Sequence, residues 1–155
     1  MSKFTVDEFD RKILKELVRD ARQSNVELAK NVGMSTTPCW NRVKTLQHEK
    51  VIRRSTIAVD HAALGYSDIV IFQISLEKHS LKTLEDFGRE MSMVPEVLEV
   101  LMLTGGRDFY VKVAISGTDG YARFLRERLY KIAGISHTES NFVLRIFKDE
   151  LSAVI

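Results

Sequence analysis

The chain predicts an α+β protein of two domains, an N-terminal winged helix-turn-helix and a C-terminal ferredoxin-like unit of order β-α-β-β-α-β. Three observations predict it. Residues 24–46, SNVELAKNVGMSTTPCWNRVKTL, read as two short helices joined by a tight turn. Residues 68–147 alternate between strand-like and helix-like periodicity. Positive charge is uneven: residues 1–60 hold 12 Lys/Arg against 8 Asp/Glu, whereas residues 61–155 hold 11 against 13. An electropositive half that also holds a helix-turn-helix is what phosphate binding asks for.

The first helix starts at Thr5 or Asp7 as cap and ends near Arg19–Arg22, with Phe9, Ile13, Leu14, Leu17 and Val18 as its apolar stripe. Ser24 and Glu27 have the spacing of a capping box. Val26, Leu28, Ala29 and Val32 form the inner face of the helix that follows. Gly33 stands where that helix must stop, because glycine enters the left-handed region without strain. Ser35 caps the next helix, and Pro38 in its first turn lacks an N–H that has no helical partner there anyway. Cys39, Val43 and Leu46 recur at helical spacing and point inward. Thr36, Thr37, Asn41, Arg42, Lys44 and Thr45 are left outside, all of them hydrogen-bond donors or cations. The second helix of such a pair enters the DNA major groove. VIRRSTIAVD, residues 51–60, is rich in β-branched residues and reads as a wing and connecting strand, with a hinge at His61–Gly65. These bounds give domains 1–60 and 67–155, with 51–66 as wing, connector and hinge.

In the second domain, Val70, Phe72, Ile74 and Leu76 share one face of a strand over 68–77. Residues 81–93 are an amphipathic helix with Leu84, Phe87 and Met91 inward, and Pro95 marks a turn. Strands at 97–103 and 109–115 flank the loop Thr104–Asp108. Asp119 caps a helix whose stripe is Phe124, Leu125, Leu129 and Ile132, closed by Gly134. The last strand is expected at 138–147. Ile69 and Ile71 make the first strand apolar on its second face too, so something must cover that face. A second sheet from another copy is the natural cover.

Composition narrows the function. With 45% hydrophobic residues the 155-residue chain can pack a core. No apolar run is long enough to cross a bilayer, and residues 1–15 mix charges unlike a signal peptide. One cysteine excludes an internal disulfide and suits a reducing cytoplasm. The four histidines do not have metal-ligand spacing. No nucleophile stands beside an evident base, so neither catalysis nor a cofactor is expected. The Thr104–Asp108 loop joins two strands with no helix after it, which excludes a phosphate loop.

The candidate residues have plain readings as well as functional ones. Arg42 and Lys44 suit a solvated face, but on the second helix of a helix-turn-helix they are better read as DNA contacts. Ser35, Thr36, Thr37, Asn41 and Thr45 belong to the same surface, with Ser35 a cap first. Ser24 and Asn25, at the start of the preceding helix, join the candidate DNA-binding set. Trp40 either packs inward or lies at the DNA surface. Arg53 and Arg54 contact phosphate or pair with acidic neighbours. Gly105-Gly106 suits a hairpin turn, yet a turn has no need of Asp108. A carboxylate there, beside free N–H groups, could hold the two ends of an amino acid.

Together these features resemble the Lrp/AsnC, or feast/famine, transcription regulators. The resemblance rests on Asp10-Arg11-Lys12-Ile13-Leu14, Asp20-Ala21-Arg22, Ser24 to Ala29, Val32-Gly33-Met34-Ser35 with Thr37-Pro38-Cys39, and Asn41-Arg42-Val43. Later come Pro95-Glu96-Val97 and Thr104-Gly105-Gly106-Arg107-Asp108-Phe109. It implies a sequence-specific regulator of double-stranded DNA whose C-terminal (RAM) domain assembles dimers, often octamers, and senses an amino acid. It also implies an effector pocket from Thr104, Gly105, Gly106, Arg107 and Asp108, with Thr138 and Ser140 on the last strand. Trp40 stands where the family varies. The competing readings are an amino-acid-binding regulatory subunit or small enzyme, and an architectural DNA-binding protein with no effector.

Overall fold

The computed structural model describes residues 4–150 and Ser152. The described residues fold as two compact units, one running to Ala58 and taking in Lys148 to Glu150 and Ser152, the other Val59–Phe147.

The first unit is three helices, α1 (Glu8–Arg19), α2 (Asn25–Val32) and α3 (Thr36–His48). Two of them start with reciprocal caps. The Asp7 carboxylate accepts the Asp10 N–H at 2.9 Å, and the Asp10 carboxylate accepts the Asp7 N–H at 3.1 Å. Ser24 and Glu27 repeat the device on α2. Gly33 ends α2 in the left-handed region at φ 71°. Ile13, Leu14, Leu28, Ala29, Val32, Cys39, Val43 and Leu46 form the core. Gly33→Ala has room for its methyl but not the backbone preference. It is expected to lower the unit's stability by about 1 kcal/mol, read from its urea midpoint.

Several expectations are corrected here. Phe9, Val18 and Val26 are exposed, and the buried place at the start of α1 goes to Asp10. Residues 51–60 form no strand. Their β-branched side chains favour extended backbone, but a strand needs a partner ladder and none forms here, so the helix-turn-helix has no β-wing.

In the second unit, a short 3₁₀ turn at Ala62–Leu64 leads into β1 (Asp68–Leu76). α4 (Leu81–Ser92), β2 (Val97–Met102), β3 (Phe109–Ile115), α5 (Gly117–Glu127) and β4 (Ile135–Phe142) follow. The sheet is antiparallel with order β2-β3-β1-β4, which is the split β-α-β arrangement. Val70, Phe72, Ile74 and Leu76 of β1 and Phe109, Val111 and Val113 of β3 pack with Phe87, Met91, Phe124, Leu129 and Ile132. On the opposite face Ile69 and Ile71 are half-buried.

The C-terminal elements depart from the expectation. α5 begins at Gly117, after Ser116, so Asp119 lies within its first turn and is not its cap. The helix ends at Glu127. Leu129 belongs to a separate 3₁₀ turn, Leu129–Lys131, and Gly134 follows that turn instead of closing the helix. β4 starts three residues earlier than expected and stops at Phe142. Register with β1, not hydrophobicity, fixes it: Ile135 opposes Leu76 and Phe142 opposes Val70. Beyond it the Val143 N–H still bonds the Ile69 carbonyl at 2.9 Å, but the ladder stops there, and Leu144 is 98% exposed.

Candidate nucleic-acid interface and effector loop

Helical phase sorts α3. Cys39, Val43 and Leu46 are buried, and burial pushes the Cys39 thiol up, so this cysteine is a packing residue. Thr36, Thr37, Trp40, Asn41, Lys44 and Thr45 are exposed. Ser35 is exposed and makes no side-chain cap bond. Lys44 Nζ lies 5.0 Å from the Trp40 ring centroid, and the Thr45 hydroxyl bonds back to the Asn41 carbonyl at 3.0 Å.

Arg42 is placed differently. Its Nη1 lies 2.6 Å from an Asp7 carboxylate oxygen and 2.9 Å from one of Asp10. Asp10 is only 4% exposed, so Arg42 neutralises a buried carboxylate and ties α3 to α1. The guanidinium also sits over the Phe9 ring, 5.6 Å from its centroid. The Asp10 N–H first, and then Arg42, hold the Asp7 carboxyl below its ordinary range; the two carboxylates in turn raise Arg42. Ser24 is committed too, its hydroxyl donating to Glu27 at 2.8 Å. Asn25 is half-buried, whereas Arg53 and Arg54 are exposed.

The loop between β2 and β3 is pinned at its base. The Leu103 N–H donates to the Asp108 carbonyl at 2.8 Å, and the Asp108 N–H donates to the Ile74 carbonyl at 2.9 Å. Asp108 Oδ2 accepts the Leu76 N–H at 2.7 Å and faces His79 Nε2 at 3.1 Å. Above this base, Thr104, Gly105 and Gly106 are exposed, and among the described residues nothing accepts their N–H groups. Gly105 has φ 118°, and a Cβ on either glycine would meet open space. Arg107 Nη2 lies 3.4 Å from Glu139 on β4, and its Nε is buried without a partner.

Residues 6–47 match the AsnC-type helix-turn-helix domain, and residues 69–153 match the Lrp/AsnC ligand binding domain. The leucine-responsive regulatory protein of Escherichia coli is 32% identical over 150 residues, 97% of this chain and 92% of its own length. The chain belongs to the Lrp/AsnC family. Similar solved structures include a transcriptional regulator of Neisseria meningitidis in complex with L-methionine, with TM-score 0.88 and 28% identity over 96% of each chain. An AsnC family transcriptional regulator of Agrobacterium tumefaciens has TM-score 0.88 and 32% identity over 95% of each chain. As an Lrp/AsnC protein the chain is a DNA-binding transcription regulator and not an enzyme. Among the described residues no helix is long and apolar enough to cross a membrane.

In this Lrp/AsnC chain the structure groups the two sets of expected residues unevenly. The exposed α3 residues share one surface. On β4, Thr138 opposes Ile74 and Ser140 opposes Phe72, so both side chains lie on the helix side of the sheet. Ser140 Oγ is 2.7 Å from the Tyr121 hydroxyl, away from the loop, and Thr138 Oγ1 is buried without a partner. Glu139, which the sequence reading did not single out, is the β4 residue that meets the loop. His79 was missed as well, because a lone histidine after a strand carries no sequence signal. Asp10 did carry one, a carboxylate at a core-facing helical position.

Proposed function

We propose that this regulator's DNA binding answers to a free amino acid held at the Thr104–Asp108 loop. The observation that carries the reading is the loop itself, a tip of unpaired N–H groups above a fixed carboxylate. An amino acid's carboxylate suits the N–H groups of Gly105 and Gly106. Its ammonium suits the Asp108 oxygen that neither Leu76 nor His79 occupies. The methionine bound by the Neisseria meningitidis regulator supports the ligand class. The protein acts in the cytoplasm, on double-stranded DNA read by Thr36, Thr37, Trp40, Asn41, Lys44 and Thr45, with Arg53 and Arg54 on the phosphates. It functions as a dimer, assembled further to an octamer. The half-covered face of Ile69 and Ile71, and the nearly bare Leu144 and Phe147, support a second copy as their cover.

The test is a thermal-shift screen of the twenty amino acids, methionine first, with light scattering on the same samples. A binder at 100 times its Kd should stabilise the fold by about 2.7 kcal/mol. No shift from any amino acid would leave an effector-free DNA-coating protein, and a stable monomer at micromolar concentration would overturn the assembly.

A further inference from the structure

We propose that Trp40 is a specificity-determining residue that reads a thymine methyl group in the major groove and steers Lys44 beside it. Thr37, Trp40, Asn41 and Lys44 lie at helix positions i, i+3, i+4 and i+7 and form one exposed face of α3. Arg42 is not part of that face, because Asp7 and Asp10 hold its guanidinium. Lys44 is therefore the Lys/Arg side chain of α3 left on the outer side. Trp40 is 39% exposed, and nothing in the first unit's core claims it. An indole displayed on a groove-entering helix needs an apolar partner. The major groove offers one on its base edges, the C5-methyl of thymine; the other base-edge groups there are hydrogen-bond donors or acceptors.

The Trp40–Lys44 contact adds a second role. An ammonium 5.0 Å from the ring centroid is drawn to the indole face, which restricts a side chain that otherwise sweeps a wide arc. The operator feature implied is a thymine methyl next to an acceptor that Lys44 can reach, either guanine O6/N7 or a phosphate oxygen.

The test uses the full-length protein and a duplex enriched from a random pool by binding to it. Each thymine is replaced in turn by deoxyuracil, which removes only the methyl. One replacement per half-site should weaken wild-type binding about fourfold, the effect of one buried methyl-sized group. Trp40→Gln should bind methylated and unmethylated duplexes equally. Trp40→Leu, apolar but without a ring, should keep part of the methyl preference while Lys44→Ala costs it less than it costs wild type. Melting curves confirm that each variant is folded; should Trp40→Gln not fold, the wild-type and Trp40→Leu series decide. Indifference of the wild type to every methyl, or an undiminished methyl preference in Trp40→Gln, overturns the readout. An equal cost of Lys44→Ala in the Trp40→Leu and wild-type backgrounds overturns the steering. Neither result touches the assignment of the helix-turn-helix, since loss of that would abolish binding to all duplexes.

Discussion

Arg42→Ala is expected to lower the stability of the first unit by about 2 kcal/mol, read from urea unfolding followed by circular dichroism. Removing one partner of a fully buried ion pair costs about 3–5 kcal/mol. Here the Arg42 side chain is 34% exposed, so water reaches the site and part of that cost is screened. The stranded group is Asp10, left with the Asp7 N–H, 3.1 Å away, as its partner among the described residues. Arg42→Lys should recover part of the loss, since it restores charge but not the planar guanidinium whose Nη1 bonds both carboxylates. The pH dependence has a definite sign. Asp7 has its carboxyl lowered from the ordinary 3.8, so its contribution is present above that pH and is lost as pH falls through the lower folded-state value. The stability gap between wild type and Arg42→Ala should therefore narrow on acidification. Lys44→Ala is the contrast: weaker DNA binding with an unchanged unfolding midpoint.

The second large effect is at the effector loop. Gly106→Leu is expected to abolish the thermal shift given by a bound amino acid, about 2.7 kcal/mol at 100 times Kd, while DNA binding persists. Gly106 is the suitable site because its backbone is not left-handed and a side chain meets only open space, which is the space a ligand would take. A side chain at Gly105, at φ 118°, would add strain and confuse the result. For the ammonium partner, Asp108→Asn is the cleaner change. Its amide oxygen still accepts the Leu76 N–H, whereas alanine would leave that N–H bare and loosen β1. Asp108→Asn should weaken the amino acid about tenfold or more, the worth of a hydrogen bond to a charged group. A full effector response in both variants would move the ligand site elsewhere.

What could be read from sequence follows the range of the interactions. Caps act over three residues, and Ser24–Glu27 and Gly33 fall where the chain placed them. β3 spans the expected 109–115 because its apolar residues and both flanking turns lie close by. β4 was misplaced because an edge strand takes its register from a neighbour some sixty residues away. Its alternation of Ile135, Thr138 and Ser140 is too polar to stand out, whereas the apolar run after Phe142 imitates a strand. Residues 51–60 show the same limit: propensity without a partner makes extended chain, not sheet. Arg42 has the composition of a DNA contact, and only the fold brings Asp7 and Asp10, more than thirty residues earlier, against it.

The double anchorage of Asp108 bears on affinity as well as on shape. Its main-chain bonds close the loop at Leu103 and Ile74, and its side chain bonds Leu76. The four residues at the tip, Thr104 to Arg107, are thereby confined before any ligand arrives. Ordering a free backbone costs about 1–2 kcal/mol per residue, so a mobile loop of that length would subtract several kcal/mol from binding. A tip already held in place escapes most of that deduction. An amino acid bound there, as proposed above, would have few atoms to contribute contacts and would keep more of their worth as affinity.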